Sequence, residues 1–265
     1  MSGLTLSAIY RYPVKSLRGE FFDEFVADRR GLLHDRHWMV VDAAGRFLTQ
    51  RQQSRMALID THVDAAGHLH LAATGMPPLT IAASAGGRSE VVVWIDRVSA
   101  DGVGADADAW LSEFLGCDCR LVVQPDDVRR SVDPAYARQD DEVGFADGFP
   151  FLLISQASLD GLNARLAEAV PMLRFRPNLV VTGCDAHAED GWRRIRIGDM
   201  SFRVAKPCSR CVIPTVDIET GERGAEPMRT LLSYRRRDNK VFFGQNLIHD
   251  GPGRLRVGMR VEVVE

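Results

Sequence analysis

The sequence predicts a strand-rich α+β fold with barrel-like character. Short segments of alternating apolar and polar residues recur along nearly the whole chain. Turn residues punctuate them, with 23 Gly and 12 Pro among 265 residues. The few helical segments do not alternate regularly with strands, which argues against a doubly wound parallel sheet.

In order, Leu4–Tyr10 reads as a strand, and His37–Val41 and Arg46–Thr49 as a hairpin around Ala43-Ala44-Gly45. Ala57–Val63, His68–Ala72, Leu79–Ala82 and Val91–Ile95 continue the strand series. A helix over Asp106–Leu115 places Trp110, Leu111 and Phe114 on one face, and Leu121–Val123 returns to strand. The following stretch to Asp141 is polar and charged, which suits a connection. We expect two domains, 1–123 and 124–265.

The second part opens with the apolar strand Phe151–Ile154. Ser155 fits a helix N-cap, and Leu159, Leu162 and Leu166 recur at helical spacing up to Val170. Asn178–Val181, Arg194–Ile197 and Ser201–Val204 read as strands, the last two joined by Gly198-Asp199-Met200. Pro227 suits a first helical position. Phe242–Ile248, Arg254–Val257 and Arg260–Val264 read as strands.

A net charge of -3 leaves no global footprint for nucleic acid or an anionic membrane surface, so any basic site is local. No apolar run approaches a membrane span, and Met1–Tyr10 lacks the pattern of a secretory signal. A cytoplasmic protein is expected. Five cysteines, an odd and scattered set, then stand as free thiols.

The segment Lys206-Pro207-Cys208-Ser209-Arg210-Cys211-Val212-Ile213-Pro214-Thr215-Val216-Asp217 carries the strongest chemical signal. Two thiols stand between cations in a loop that prolines restrict, and Lys206 and Arg210 would favour thiolate. A braced thiolate suits a soft metal. Taken alone, this C-x-x-C also admits two ordinary buried cysteines and, less well, half a zinc site or a redox dithiol. Zinc would need partners from Cys117-Asp118-Cys119 or from His34 and His37, and the one-residue gap and sequence distance suit neither.

Three further segments are candidates for an anionic ligand. Tyr12-Pro13-Val14-Lys15-Ser16-Leu17-Arg18-Gly19 offers cations and a hydroxyl in a turn, or is an ordinary surface turn. Arg36, ahead of an apolar strand, suits phosphate or planar recognition, or simply pairs with Asp35. Arg174-Phe175-Arg176-Pro177-Asn178 sets a guanidinium and an amide at the mouth of a strand.

Together and in this order, these segments resemble the MOSC superfamily. The resemblance is to chains that carry an N-terminal MOSC β-barrel domain ahead of the MOSC domain, as in amidoxime-reducing components and YcbX-type proteins. It spans nearly the whole sequence, and Cys208-Ser209-Arg210-Cys211, Arg176-Pro177-Asn178 and Phe243-Gly244-Gln245 make it specific. It implies a β-barrel MOSC domain that binds a molybdenum–molybdopterin cofactor, with Cys211 as the protein ligand to the metal and no ligand role for Cys208. Positions matching the family's cofactor contacts are Lys15, Ser16, Arg36, Asp147, Arg176, Asn178, Ser209 and Arg210, with Asp147 also placed near the open metal position. Asp147-Gly148-Phe149-Pro150 departs from the amidoxime-reducing pattern, where small hydroxyl residues follow the aspartate. The implied activity is reduction of N-hydroxylated small molecules (hydroxylaminopurines, amidoximes, hydroxylamines). The alternative is a cofactor carrier or a sulfur-handling protein without the pyridoxal-phosphate portion of the sulfurases. No cysteine cluster for an iron–sulfur centre and no G-x-G-x-x-G turn into a helix is present. Electrons are therefore expected from a separate donor of ferredoxin, flavoprotein or cytochrome type.

Overall fold

In the computed structural model, which describes residues 3–82, 84 and 86–265, the chain is strand-rich α+β as expected, and its largest sheet closes on itself. The strands follow the order Val261–Val263, Arg194–Ile197, Met200–Ser209, Lys240–His249, Phe151–Ser155, Leu179–Thr182, Thr5–Arg11 and Glu20–Phe22. All neighbours are antiparallel except Phe151–Ser155 with Leu179–Thr182. The Val261–Val263 end meets the start of Thr5–Arg11 where Leu6 N donates to Met259 O (2.9 Å) and Val261 N to Leu4 O (2.9 Å). Closure leaves no free edge along that seam. Leu6, Ile9, Phe151, Leu153, Leu179, Phe202 and Leu247 fill one core of this barrel.

A second core lies under the earlier residues. An antiparallel sheet runs Trp38–Asp42, Cys119–Val123, Asp96–Gly102, Arg88–Val93. A meander of Asp60–Val63, Leu69–Ala72 and Leu79–Ile81 packs beside it. The helix Ala105–Leu115 buries Trp110, Leu111 and Phe114 against them, as its spacing predicts. Val14 and Leu17 belong to this same core, although the strand just before them, Thr5–Arg11, belongs to the barrel. The Tyr12–Gly19 turn therefore bridges the two cores. Lys15 N donating to Trp38 O (2.8 Å) fixes it there.

Several expectations shift, each for a local reason. The helix begun by Ser155, whose side chain accepts from Ser158 N, ends at Asn163 instead of running to Val170. Asn163 exchanges two hydrogen bonds with the backbone of Val170 (3.0 and 3.1 Å), which folds the intervening stretch into turns. Pro227 caps the helix Met228–Tyr234 and is not its first residue. The Ser201–Val204 strand extends to Ser209, so Cys208 and Ser209 sit on a strand with two bulges and not in a loop. Val91–Ile95 is not one strand: the chain reverses at Trp94-Ile95 and returns as Asp96–Gly102. The arm Arg46–Thr49 makes only isolated bridges.

Gly244 shows how tightly the barrel is built. It sits mid-strand at φ +82°, and a Cβ there would stand 2.8 Å from Leu153 O and 2.6 Å from Ile154 Cγ1. Gly244→Ala should lower stability by at least about 1–3 kcal/mol, the cost of a left-handed non-glycine residue. Urea denaturation with an unchanged midpoint would show that the neighbouring strand yields freely.

Candidate functional site

Between the two cores lies a cavity of about 510 Å³. Lys15, Ser16, Arg36, Asp147, Arg176, Asn178, Ser209, Arg210 and Cys211 all line it, so every nominated residue faces one space. They arrive from the bridging turn, the segment before Trp38, the connection between the cores, the turn before Leu179, and the end of the long bulged strand.

One wall is cationic and buried. The Arg36 and Arg176 guanidiniums lie 4.2 and 4.3 Å from the centroid of the fully buried Tyr12 ring. Gly19 permits this, since a Cβ there would stand 2.3 Å from that ring. Arg36 pairs with Asp35 and donates to Asn178 Oδ1 (3.0 Å) and Arg176 O (3.1 Å). Arg176 donates to Leu17 O (2.6 Å), while its Nη2 is buried without a partner. Burial, reinforced by the Arg36 charge, pulls Arg176 down to about 10. Asn178 is oriented by Tyr10 O, which its Nδ2 reaches at 3.2 Å.

Backbone strain gathers at the same place. Among the described residues, non-glycine positive φ values occur at Ser16, His34, Arg36, Trp94, Arg176, His187, Asp238 and Asn239. Ser16, Arg36, Trp94, Arg176 and Asn239 line the cavity. Such conformations cost about 1–3 kcal/mol each and persist only where the surroundings enforce them.

A second wall carries an ion pair between a buried lysine and an exposed carboxylate. Lys15, 4% exposed, donates to Phe145 O (2.7 Å) and pairs with Asp147. Burial lowers Lys15 to about 8 despite the carboxylate beside it. Desolvation pushes the Asp147 carboxyl up, but the Lys15 charge and hydrogen bond and the Trp94 indole outweigh it. The net effect holds Asp147 well below the ordinary carboxylate range. The Trp94 indole N–H donates to Asp147 Oδ1 at 3.0 Å.

The thiols occupy the third side, Cys211 exposed and Cys208 half-buried. Arg210 donates to Cys208 Sγ (3.1 Å) and Phe175 O (2.6 Å), and its Nε is buried and unpartnered. Lys206, expected to act on the thiols, instead pairs with Asp133 (2.9 Å). Cys211 Sγ is approached by Arg51 at 3.6 Å. The segment after Cys211 is clasped to the N-terminal part, since Arg223 donates to Gln50 O (2.6 Å) and Arg51 O (2.7 Å).

The zinc alternative has no geometric support. Cys119 is buried in the N-terminal core with Cys117 packed against it. His34 and His37 lie off the cavity, and burial lowers His37 to about 4. Among the described residues no three His, Cys, Asp or Glu side chains converge to hold a metal ion. Sequence reasoning missed Arg51 and Trp94. Arg51 stands in no recognisable motif, and Trp94 reads as strand interior.

The model of the MOSC N-terminal beta barrel domain matches residues 3–118, and that of the MOSC domain matches residues 140–262. The chain is 36% identical to mouse mitochondrial amidoxime-reducing component 1 over 276 aligned positions, covering 96% of this chain and 80% of that protein. It is 34% identical to the human protein of that name, covering 96% and 81%. It is also 31% identical to tomato molybdenum cofactor sulfurase, over 90% of this chain but 32% of that protein. The chain belongs to the MOSC family, among the members that carry the MOSC N-terminal β-barrel domain.

Proposed function

We propose that this protein is a molybdenum-cofactor-dependent reductase of N-hydroxylated compounds, among them hydroxylaminopurines, amidoximes and hydroxylamines. The observation that carries this reading is the convergence of one exposed thiol and a buried cationic wall with unspent donors on one cavity. The likeness to proteins named amidoxime-reducing components supports it.

The residues present fit the cofactor. Arg176 Nη2 and Arg210 Nε are buried donors without partners, at the wall where an anionic, acceptor-rich group would end their isolation. The volume is within the range of small-molecule sites. Lys15, Ser16 and Arg36 would hold the phosphate end. Arg176, Asn178, Ser209 and Arg210 would hold the pterin, and Cys211 the metal. When bound, that group supplies the two-electron, oxygen-removing chemistry. Asp147, kept ionised by Lys15 and Trp94, can accept the hydrogen bond of an N–OH group and orient it. The 1–123 and 124–265 division is proposed as functional, with the bridging turn shared between the two. We read the compartment as cytoplasmic and the electron donor as a separate redox protein. Neither nucleic acid nor membrane has a part in this reading; among the described residues no helix is long and apolar enough to span a bilayer.

The likeness to a molybdenum cofactor sulfurase favours a second reading, in which Cys211 carries sulfur or the protein passes the cofactor on. Elemental analysis separates the two. Molybdenum near one per chain, with reduction of benzamidoxime by reduced viologen, supports the reductase. Labile sulfur without molybdenum supports the other.

The two cysteines should differ. Cys211→Ala should remove molybdenum and activity, while Cys208→Ala, which loses mainly the Arg210 contact, should keep both. Equal loss in the two variants would return the pair to a dithiol or zinc role.

Lys15 gives a pH signature. Its folded value, about 8, lies below the ordinary lysine value of 10.5, so keeping it charged costs stability below pH 8. That cost is relieved as pH rises from about 8 toward 10.5, because the unfolded chain then binds the extra proton. Relative to Lys15→Met, the ligand-free protein should therefore gain stability across that window. Binding of inorganic pyrophosphate should run oppositely, weakening as pH passes 8, and Lys15→Met should bind it roughly tenfold or more weakly at pH 7. Calorimetric titration showing pH-independent pyrophosphate binding between 7 and 9 would remove Lys15 from the anion site.

A further inference from the structure

We propose that Arg51 and Trp94 form the substrate-recognition platform of this cavity, selecting planar molecules that carry an anionic group beside the N-hydroxylated function. This deepens the reductase reading and rests on it.

Four observations converge. Trp94 occupies the first of two turn residues joining the strands Arg88–Val93 and Asp96–Gly102, at φ +57°. Glycine is the residue favoured at positive φ in such hairpins. A large aromatic there is held against its backbone preference, yet 46% of it is exposed and it lines the cavity. Its orientation is fixed, with the indole N–H on Asp147 and Phe47 packed at 5.2 Å between ring centroids. Arg51 lies over the indole at 4.6 Å and forms no ion pair with a carboxylate among the described residues. Its Nη1 is 3.6 Å from Cys211 Sγ, and its backbone carbonyl is pinned by Arg223. A rigid cation beside the thiol, on an open aromatic surface, has what a planar anion needs. The indole offers a stacking face, and the guanidinium offers a planar donor fork for carboxylate or phosphate. The carboxylate of Asp147 accepts from the indole N–H at the ring edge, where it can meet the N–OH end of the same molecule. The anionic group and the N–OH group would then be read at opposite ends of one stacked ring.

The test compares 4-carboxybenzamidoxime with benzamidoxime on purified holoprotein, followed by quenching of tryptophan fluorescence and by reduction kinetics. The carboxylate should bind tighter by about tenfold or more, the contribution of one charge-assisted hydrogen bond. Arg51→Gln should erase that preference and raise KM for the carboxylate alone. Trp94→Gly should retain the fold, since glycine suits this turn, and should lose the quenching. Equal affinity for the two compounds in the unaltered protein overturns the proposal, as does a preference that survives Arg51→Gln. Loss of bound pterin from Arg51→Gln also overturns it, because Arg51 would then serve the cofactor. If the preference holds but neither compound is reduced, the platform stands and the reductase reading falls.

Discussion

Two guanidiniums packed against one buried tyrosine ring govern how the two halves of this molecule meet. Arg36 comes from the N-terminal part and Arg176 from the turn ahead of a barrel strand, and Tyr12 stands in the segment that joins both cores. Like charges so close would repel strongly if left alone. Asp35 offsets one charge, and the remaining donors are taken up largely by carbonyls of Leu17 and Arg176 and by Asn178. Removing Asp35 leaves an uncompensated charge, and removing Asn178 leaves a guanidinium donor unpaired. The wall is therefore one charge short of balance, and an anion in the cavity would supply it.

The opposite side of the cavity is organised by backbone instead of charge. Bulges at Val204/Lys206 and Pro207/Ser209 let one strand pair with Lys240–His249 while changing direction twice near its end. A bulged strand re-aims its side chains without abandoning the sheet. Cys208 stays on the strand with Arg210 against its sulfur, whereas Cys211 lies past the strand end and is open. The two thiols of one C-x-x-C thus have different surroundings, which spacing alone could not reveal. Arg223, reaching back to Gln50 and Arg51, ties the Cys211 segment to the other half of the molecule.

Much of the barrel was legible because closed antiparallel sheets bury one face of each strand and so write period 2 into the sequence. Arg194–Ile197 lies where that pattern puts it, whereas Phe151–Ser155 and Leu179–Thr182, the parallel pair, are buried at nearly every residue and are legible as short apolar runs, each within a residue of its expected bounds. Glu20–Phe22 and Glu24–Asp28 were not legible, being short and half-exposed with little alternation to read. The helix after Ser155 was overrun because Leu166 keeps helical spacing, while the stop signal is a side-chain bond from Asn163 that spacing does not encode. The nominated site residues were found through motifs, each weak singly and specific only in order. Arg51 has no motif, and its partners Trp94 and Cys211 are distant in sequence.

Trp94 is the most informative of these failures. Local rules place glycine, asparagine or aspartate where the chain must take a positive φ, and a reader applying them runs the strand straight through. The same holds for Ser16, Arg36 and Arg176, three more residues whose left-handed backbone no local preference selects. A sequence can violate local preference only where tertiary packing repays it, and here four such violations face one space. The strain is sustained by the two cores that bracket the cavity, through the Lys15–Trp38 bond on one side and the closed barrel seam on the other. Stability gathered in those cores is what permits the cavity walls to hold conformations chosen for a ligand and not for the chain itself.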